Sequence, residues 1–174
     1  QNGADVNAVA KDKWTALHFA TQKGHIGVMK VLIQNGADVN AIAEDKETVL
    51  HTAAWRGHVD VVKILIQNGA DVNAVNKFKD TALHIIAQEG YVGTLKVLIQ
   101  NDADLSALNG LGETALCLAA NEYNIQSLLT FLCFGAQIDE NAINLDESGL
   151  LVSINDRLES LRAGNGMTTT LMST

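Results

Sequence analysis

The octapeptide QNGADVNA occupies residues 34–41 and recurs at residues 67–74, a shift of 33 residues. The same string fills residues 1–8, another 33 earlier, and residues 99–107 read IQNDADLSA, an altered copy one period on. Between these copies lie TALH (15–18), TVLH (48–51), TALH (81–84) and TALC (114–117), each 33 residues from the next. A fixed period of this length marks a stacked architecture, in which a unit too thin to bury its own apolar face buries it against its neighbours.

One period reads as a pair of short helices. Thr15, Thr48, Thr81 and Thr114 stand where a hydroxyl can cap a first helix, over residues 16–22 in the first unit, with Leu17 and Ala20 facing inward. Gly24, Gly57 and Gly90 close that helix. A second helix then carries apolar residues at helical spacing: Ile26, Met29, Leu32 and Ile33 in the first unit, Val59, Val62, Leu65 and Ile66 in the second. Val92, Leu95, Leu98 and Ile99 repeat the pattern, and Ile125, Leu128, Phe131 and Leu132 complete it. Gly36, Gly69 and Gly135 end these helices, with Asp102 standing in the third. Lys13, Lys46 and Lys79 hold the place that Gly112 fills in the fourth unit; either each Lys keeps a left-handed backbone there at some cost, or the hairpin has changed its turn type.

The T-x-L-H signature, the Gly-His pair and the GADVNA close resemble the ankyrin repeat family over about residues 1–138. Where the family has Pro after the Thr, this chain has Ala or Val. The resemblance implies an all-α, ankyrin-repeat solenoid of helix–turn–helix units with projecting hairpin loops. Its divisions are the end of a truncated preceding repeat (1–6) and repeats at 7–39, 40–72, 73–105 and 106–138. A degenerate cap over 139–163 follows, with one C-terminal capping helix expected at 148–162, then a flexible tail over 164–174.

Composition agrees with thin helical layers. Apolar residues make up 47% of the chain and aromatics only 5%, with no Pro, so the core is built from Ala, Val, Leu and Ile. A formal charge of −8 argues against nucleic acid or an anionic membrane as partner. No apolar run approaches the roughly 18 residues of a membrane span. Cys117 and Cys133 are read as free thiols in a reducing, intracellular compartment, the cytoplasm, or a host cytoplasm if the protein is an effector. The charge is uneven: residues 1–96 balance, and the whole excess of acid lies on 97–174.

The repeat absorbs the residues that look chemical. His18, His51 and His84 close T-x-L-H, and His25 and His58 close Gly-His, so all five are expected to tie one element to the next through backbone hydrogen bonds. Cys117 replaces the motif His of the fourth repeat. Asp5, Asp38, Asp71 and Asp104 recur as loop-shaping acceptors. No catalytic group, metal ligand set or cofactor motif stands outside this pattern, and the chain is read as non-enzymatic.

What escapes the pattern is the set of variable positions. The family resemblance implies a concave, protein-binding surface formed by hairpin tips and the exposed flank of the first helix. Matched residue by residue, the tips contribute Lys11, Asp12 and Trp14; Glu44, Asp45 and Glu47; Lys77, Phe78 and Asp80; Leu111 and Glu113. The flank contributes Gln22 and Lys23, Trp55 and Arg56, Gln88 and Glu89, Asn121 and Glu122. Trp55 stands out because its counterparts Gln22, Gln88 and Asn121 are polar, and exposed aromatics dominate interface energies. Trp14, Trp55 and Phe78 are expected as anchors on one line, with Arg56, Leu111 and a rim of Lys11, Glu44, Glu47, Lys77 and Asp80. The partner is read as another protein, carrying a basic patch if it meets the acidic C-terminal end. The chain itself is read as a monomer or a fragment of a longer array. The rival reading is a passive scaffold or spacer of a longer protein whose activity lies outside these residues; the near-identical repeats also resemble long arrays of intracellular bacteria and some protists, which implies a host-directed effector.

Overall fold

The computed structural model describes residues 3–136. The capping helix expected at 148–162, the cap at 139–163 and the tail at 164–174 lie outside the described residues. Among the described residues eight α-helices follow in order: α1 (Ala16–Gln22), α2 (Ile26–Gln34), α3 (Val49–Arg56), α4 (Val59–Gln67), α5 (Ala82–Glu89), α6 (Val92–Ile99), α7 (Ala115–Asn121) and α8 (Ile125–Cys133). Within each repeat the two helices pack together, and α1, α3, α5 and α7 stack on one another as an inner row. The outer row runs from α4 to α6 to α8.

The inner helices start where the Thr residues place them. Each Thr has an extended backbone, and the Thr15, Thr48 and Thr114 hydroxyls accept from the third helical N–H at 3.3–3.4 Å. Leu17, Leu50, Leu83 and Leu116 point from these helices into the core and are essentially inaccessible. Met29, Val62, Leu65, Leu95, Leu98, Leu128 and Phe131 meet them from the outer helices. Each such large apolar side chain contributes about 2 kcal/mol by leaving water. Ile125, one of the apolar set of the fourth repeat, is exposed at the start of α8.

Gly57 closes α3 for two reasons at once. Its φ is +63°, and a Cβ placed on it would come within 2.7 Å of the Tyr91 ring from the next repeat. Asp102 stands at φ +63° in the place that Gly36 and Gly69 fill, as the repeat alignment requires.

The hairpins are knit rather than free. Single antiparallel bridges join Val9 to Thr15 and Ile42 to Thr48. Adjacent tips share backbone hydrogen bonds, from Glu44 N–H to the Asp12 carbonyl (3.1 Å), Lys77 N–H to Asp45 (2.7 Å) and Gly110 N–H to Phe78 (2.7 Å). Lys13, Lys46 and Lys79 have φ of 58°, 60° and 63°, and Gly112 has 80°, so the left-handed place persists in every hairpin. The second hairpin adds a further departure: Asp45 is also at 60°, within a 3-10 turn over Glu44–Lys46.

A ladder of asparagines ties the opening loop of each of the first three repeats to its closing loop. Asn40 donates its amide to the Gly69 carbonyl (2.9 Å) and accepts from Asp71 N–H (2.8 Å). Asn7 does the same with Gly36 and Asp38, and Asn73 with Asp102 and Asp104. The Asp side chains shape the turns as expected, each accepting an N–H two residues on at 2.9 Å. The Ser106 hydroxyl adds a 2.6 Å bond to Asp104, and with the Ser106 N–H holds that carboxyl below the usual carboxylate range.

Candidate functional site

The histidines resolve into two kinds. The Nδ1 atoms of His18, His51 and His84 each accept from the backbone N–H of the capping Thr at 3.2 Å. An Nδ1 that accepts leaves the proton on Nε2, which points to the next repeat. His51 Nε2 donates to the Asp80 carbonyl at 3.0 Å, and His84 Nε2 to that of Glu113 at 3.1 Å. His18 Nε2 is directed at the Glu47 carbonyl but falls outside hydrogen-bond geometry. Burial holds His18 and His84 below the ordinary imidazole range, with the Glu47 and Glu113 carbonyls pulling the other way.

The Gly-His histidines correct the expectation. Neither side chain caps its helix, and His58 lays its ring against Gly24, with Nε2 3.2 Å from where a Cβ would stand. This place works by close packing over a glycine, so a ring serves without a hydrogen bond. Its fourth-repeat counterpart, Asn124, does form the tie, donating to the Ala87 and Gln88 carbonyls at 3.1 and 2.9 Å. Cys117, in the His place of the fourth repeat, is buried and accepts from the Thr114 hydroxyl at 3.1 Å; Cys133 is exposed. Among the described residues no group of three or more His, Cys, Asp or Glu could hold a metal ion.

The variable positions separate into two clefts. Trp14, Glu47, Trp55 and Arg56 line one of them with Gln22 and Thr52, a space of about 240 Å³ on the flank of α1 and α3. Trp55 is 44% exposed. Trp14 is half-buried, tilted against Phe19 and His18 at ring distances of 5.1 and 5.6 Å, which fixes it as one wall. Glu47 accepts from the Asn76 amide at 3.0 Å and is held in place by the next hairpin.

Phe78 does not line this cleft. It is 59% exposed on the third hairpin, with Lys77 Nζ 4.8 Å from its ring centre and 2.7 Å from Asp45. Leu111 projects from the fourth tip and is 84% exposed. Glu44 lies in a second cleft of about 480 Å³ with Lys13, Ile42, Asp45, Lys46 and Lys77, while Lys11 is simply exposed. Asp80 is half-buried and its backbone is tied at both ends, to Asn76 Oδ1 and His51 Nε2.

Two features went unread in the sequence. Asn76 and Asn109 are buried and brace their hairpins, each accepting two backbone N–H bonds at 2.9–3.0 Å where the first two repeats carry Ala10 and Ala43. Val9, Ile42, Val75 and Leu108 form a row of exposed aliphatic residues at one place of successive hairpins. The aliphatic row recurs every 33 residues and the Asn in the last two repeats, and that recurrence was the available signal.

Stacked helix pairs joined by projecting hairpins, with an open flank of variable residues, define an α-helical solenoid of the protein-binding kind. The chain belongs to the ankyrin repeat family: the family model for ankyrin repeats in three copies matches residues 2–76 and 65–142. Among curated proteins none matches the chain. Ankyrin repeats are in general protein–protein interaction modules and typically non-enzymatic. Among the described residues no helix is long and apolar enough to cross a membrane.

Proposed function

We propose that this chain is a non-enzymatic module that holds a partner protein in its concave groove, with Trp55 as the principal anchor. The observation that carries this is the exposed Trp55 ring facing a fixed Trp14 across a cleft of about 240 Å³, roughly the size of one or two side chains. A partner covering the first three hairpins would bury on the order of 800 Å² of the module. Phe78 and Leu111 extend the contact along the tips. Lys11, Glu44 and Lys77 form its polar rim, and Glu47 and Asp80 are fixed members of it. The acidic residues of 97–174 favour a partner with a basic patch at that end and disfavour nucleic acid.

The test is capture from the source cells with wild type against a Trp55→Ala, Phe78→Ala double variant. A protein retained by the first and lost by the second supports the groove. The rival reading, a passive spacer, expects the same proteins on both.

A further inference from the structure

The row of residues that closes the inner helices changes sign along the stack. Lys23 caps α1 and Arg56 ends α3, whereas Glu89 ends α5 and Glu122 caps α7. All four are exposed, and none forms an ion pair within the described residues. Each occupies the same place in its repeat, beside the flank residues Gln22, Trp55, Gln88 and Asn121.

Helix dipoles make this row unusual. A helix C-terminus is the negative end, where Lys23 and Arg56 offset the field and Glu89 and Glu122 add to it. The two acids therefore oppose a local rule at successive repeats, and neither forms an ion pair among the described residues. The hairpins share the trend at the ends of the stack. The hairpin and inner helix of the first repeat carry Lys11, Lys13 and Lys23 against Asp12; those of the fourth carry Glu113 and Glu122 and no cation. The middle repeats carry both signs. Packed helices stand about 8–10 Å apart, close to a Debye length, so neighbouring like charges in the row reinforce one another.

From this we infer that the groove is polar along its length and takes its partner in one direction. The occupant is an elongated segment with an acidic end over the first two repeats, an aromatic or aliphatic side chain in the Trp14–Trp55 cleft, and a basic end over the last two. Arg56 lines that same cleft and supplies the cation for an acidic group next to the anchor. This assignment rests on the groove reading, and it adds an orientation that the groove alone does not set.

The probe is a synthetic peptide with a run of glutamates, a short Leu–Phe centre and a run of lysines, carrying a nitroxide at the acidic end. At low ionic strength, with the full chain, amide signals around Gln22 and Arg56 should broaden and those around Glu122 should not. Reversing the row in one variant (Lys23→Glu, Arg56→Glu, Glu89→Lys, Glu122→Lys) should move the broadening to the fourth repeat, with the Arg56 change weakening the peptide by the loss of its cation in the cleft. Trp55→Ala should weaken the peptide about tenfold or more whatever the charges are. Equal broadening at both ends, broadening unmoved by the reversal, or no binding at low salt would overturn the orientation. Polarised broadening with Trp55→Ala unchanged would instead keep the orientation and remove the cleft as the anchor.

Discussion

His84 Nε2 donates to the backbone carbonyl of Glu113, 29 residues further along the chain and one repeat away, at 3.1 Å. With Nδ1 accepting from Thr81 N–H, one ring satisfies a helix cap and an inter-repeat bond together. Deleting it leaves the buried Thr81 N–H without its partner and removes one of the two hydrogen bonds that the Glu113 carbonyl accepts, the other coming from Asn109 N–H. His84→Ala is therefore expected to cost about 2–4 kcal/mol, read from urea unfolding, with His18→Ala less costly because its Nε2 bond is missing. Equal losses at the two sites would show that the bond to the next repeat contributes nothing.

The same rings set a pH dependence. Burial lowers the folded-state pKa of His18 and His84, so the unfolded chain binds protons first as pH falls. Stability from this source is complete above about pH 6.5, the ordinary imidazole value, and declines as pH drops from there through the lowered folded-state pKa. The urea midpoint should be lower at about pH 5.5 than at about pH 7.5, and His84→Gln should reduce that difference. A midpoint that rises on acidification would reverse the sign of the argument.

Lys79→Gly tests the left-handed hairpin place. At φ 63° a Lys is disfavoured by roughly 1 kcal/mol relative to Gly, so the variant should be more stable by up to that amount. Lys46→Gly should give less, since Asp45 beside it is also left-handed and stays so. Clear destabilisation by Lys79→Gly would mean that the lysine side chain holds the tip.

Gly57→Ala combines two penalties that a second substitution can separate. The backbone term from φ +63° remains whatever lies nearby, whereas the 2.7 Å approach to Tyr91 disappears when that ring is removed. Gly57→Ala should cost about 1–3 kcal/mol, and its cost measured in a Tyr91→Ala background should fall toward about 1 kcal/mol. Full additivity of the two substitutions would place the whole effect in the backbone.

Much of this structure could be read from the period alone. Helix α1 falls on residues 16–22 as the Thr cap and apolar spacing require, and the lysines at 13, 46 and 79 adopt the backbone that Gly112 reveals. These features are local, fixed by residues within one repeat. The asparagine ladder was not legible, because Asn40 acts on a carbonyl 29 residues further along the chain and its role needs the folded helix pair between them. The histidines of Gly-His misled for a related reason: whether a side chain bonds or packs there depends on a neighbour's glycine. For the site, the sequence singled out Trp14, Trp55 and Phe78 as a line. The fold joins the first two in one cleft and leaves Phe78 on a tip with Lys77 and Asp45.

Calorimetry with the captured partner, comparing wild type, Trp55→Ala and Phe78→Ala, bears most directly on the groove as the binding surface. The expected loss for Trp55→Ala is about 2 kcal/mol or more, with a smaller loss for Phe78→Ala and an unchanged unfolding midpoint for both. Affinities within error of wild type for both variants would contradict the groove and direct attention to the exposed aliphatic row of the hairpins or to the acidic residues of the fourth repeat.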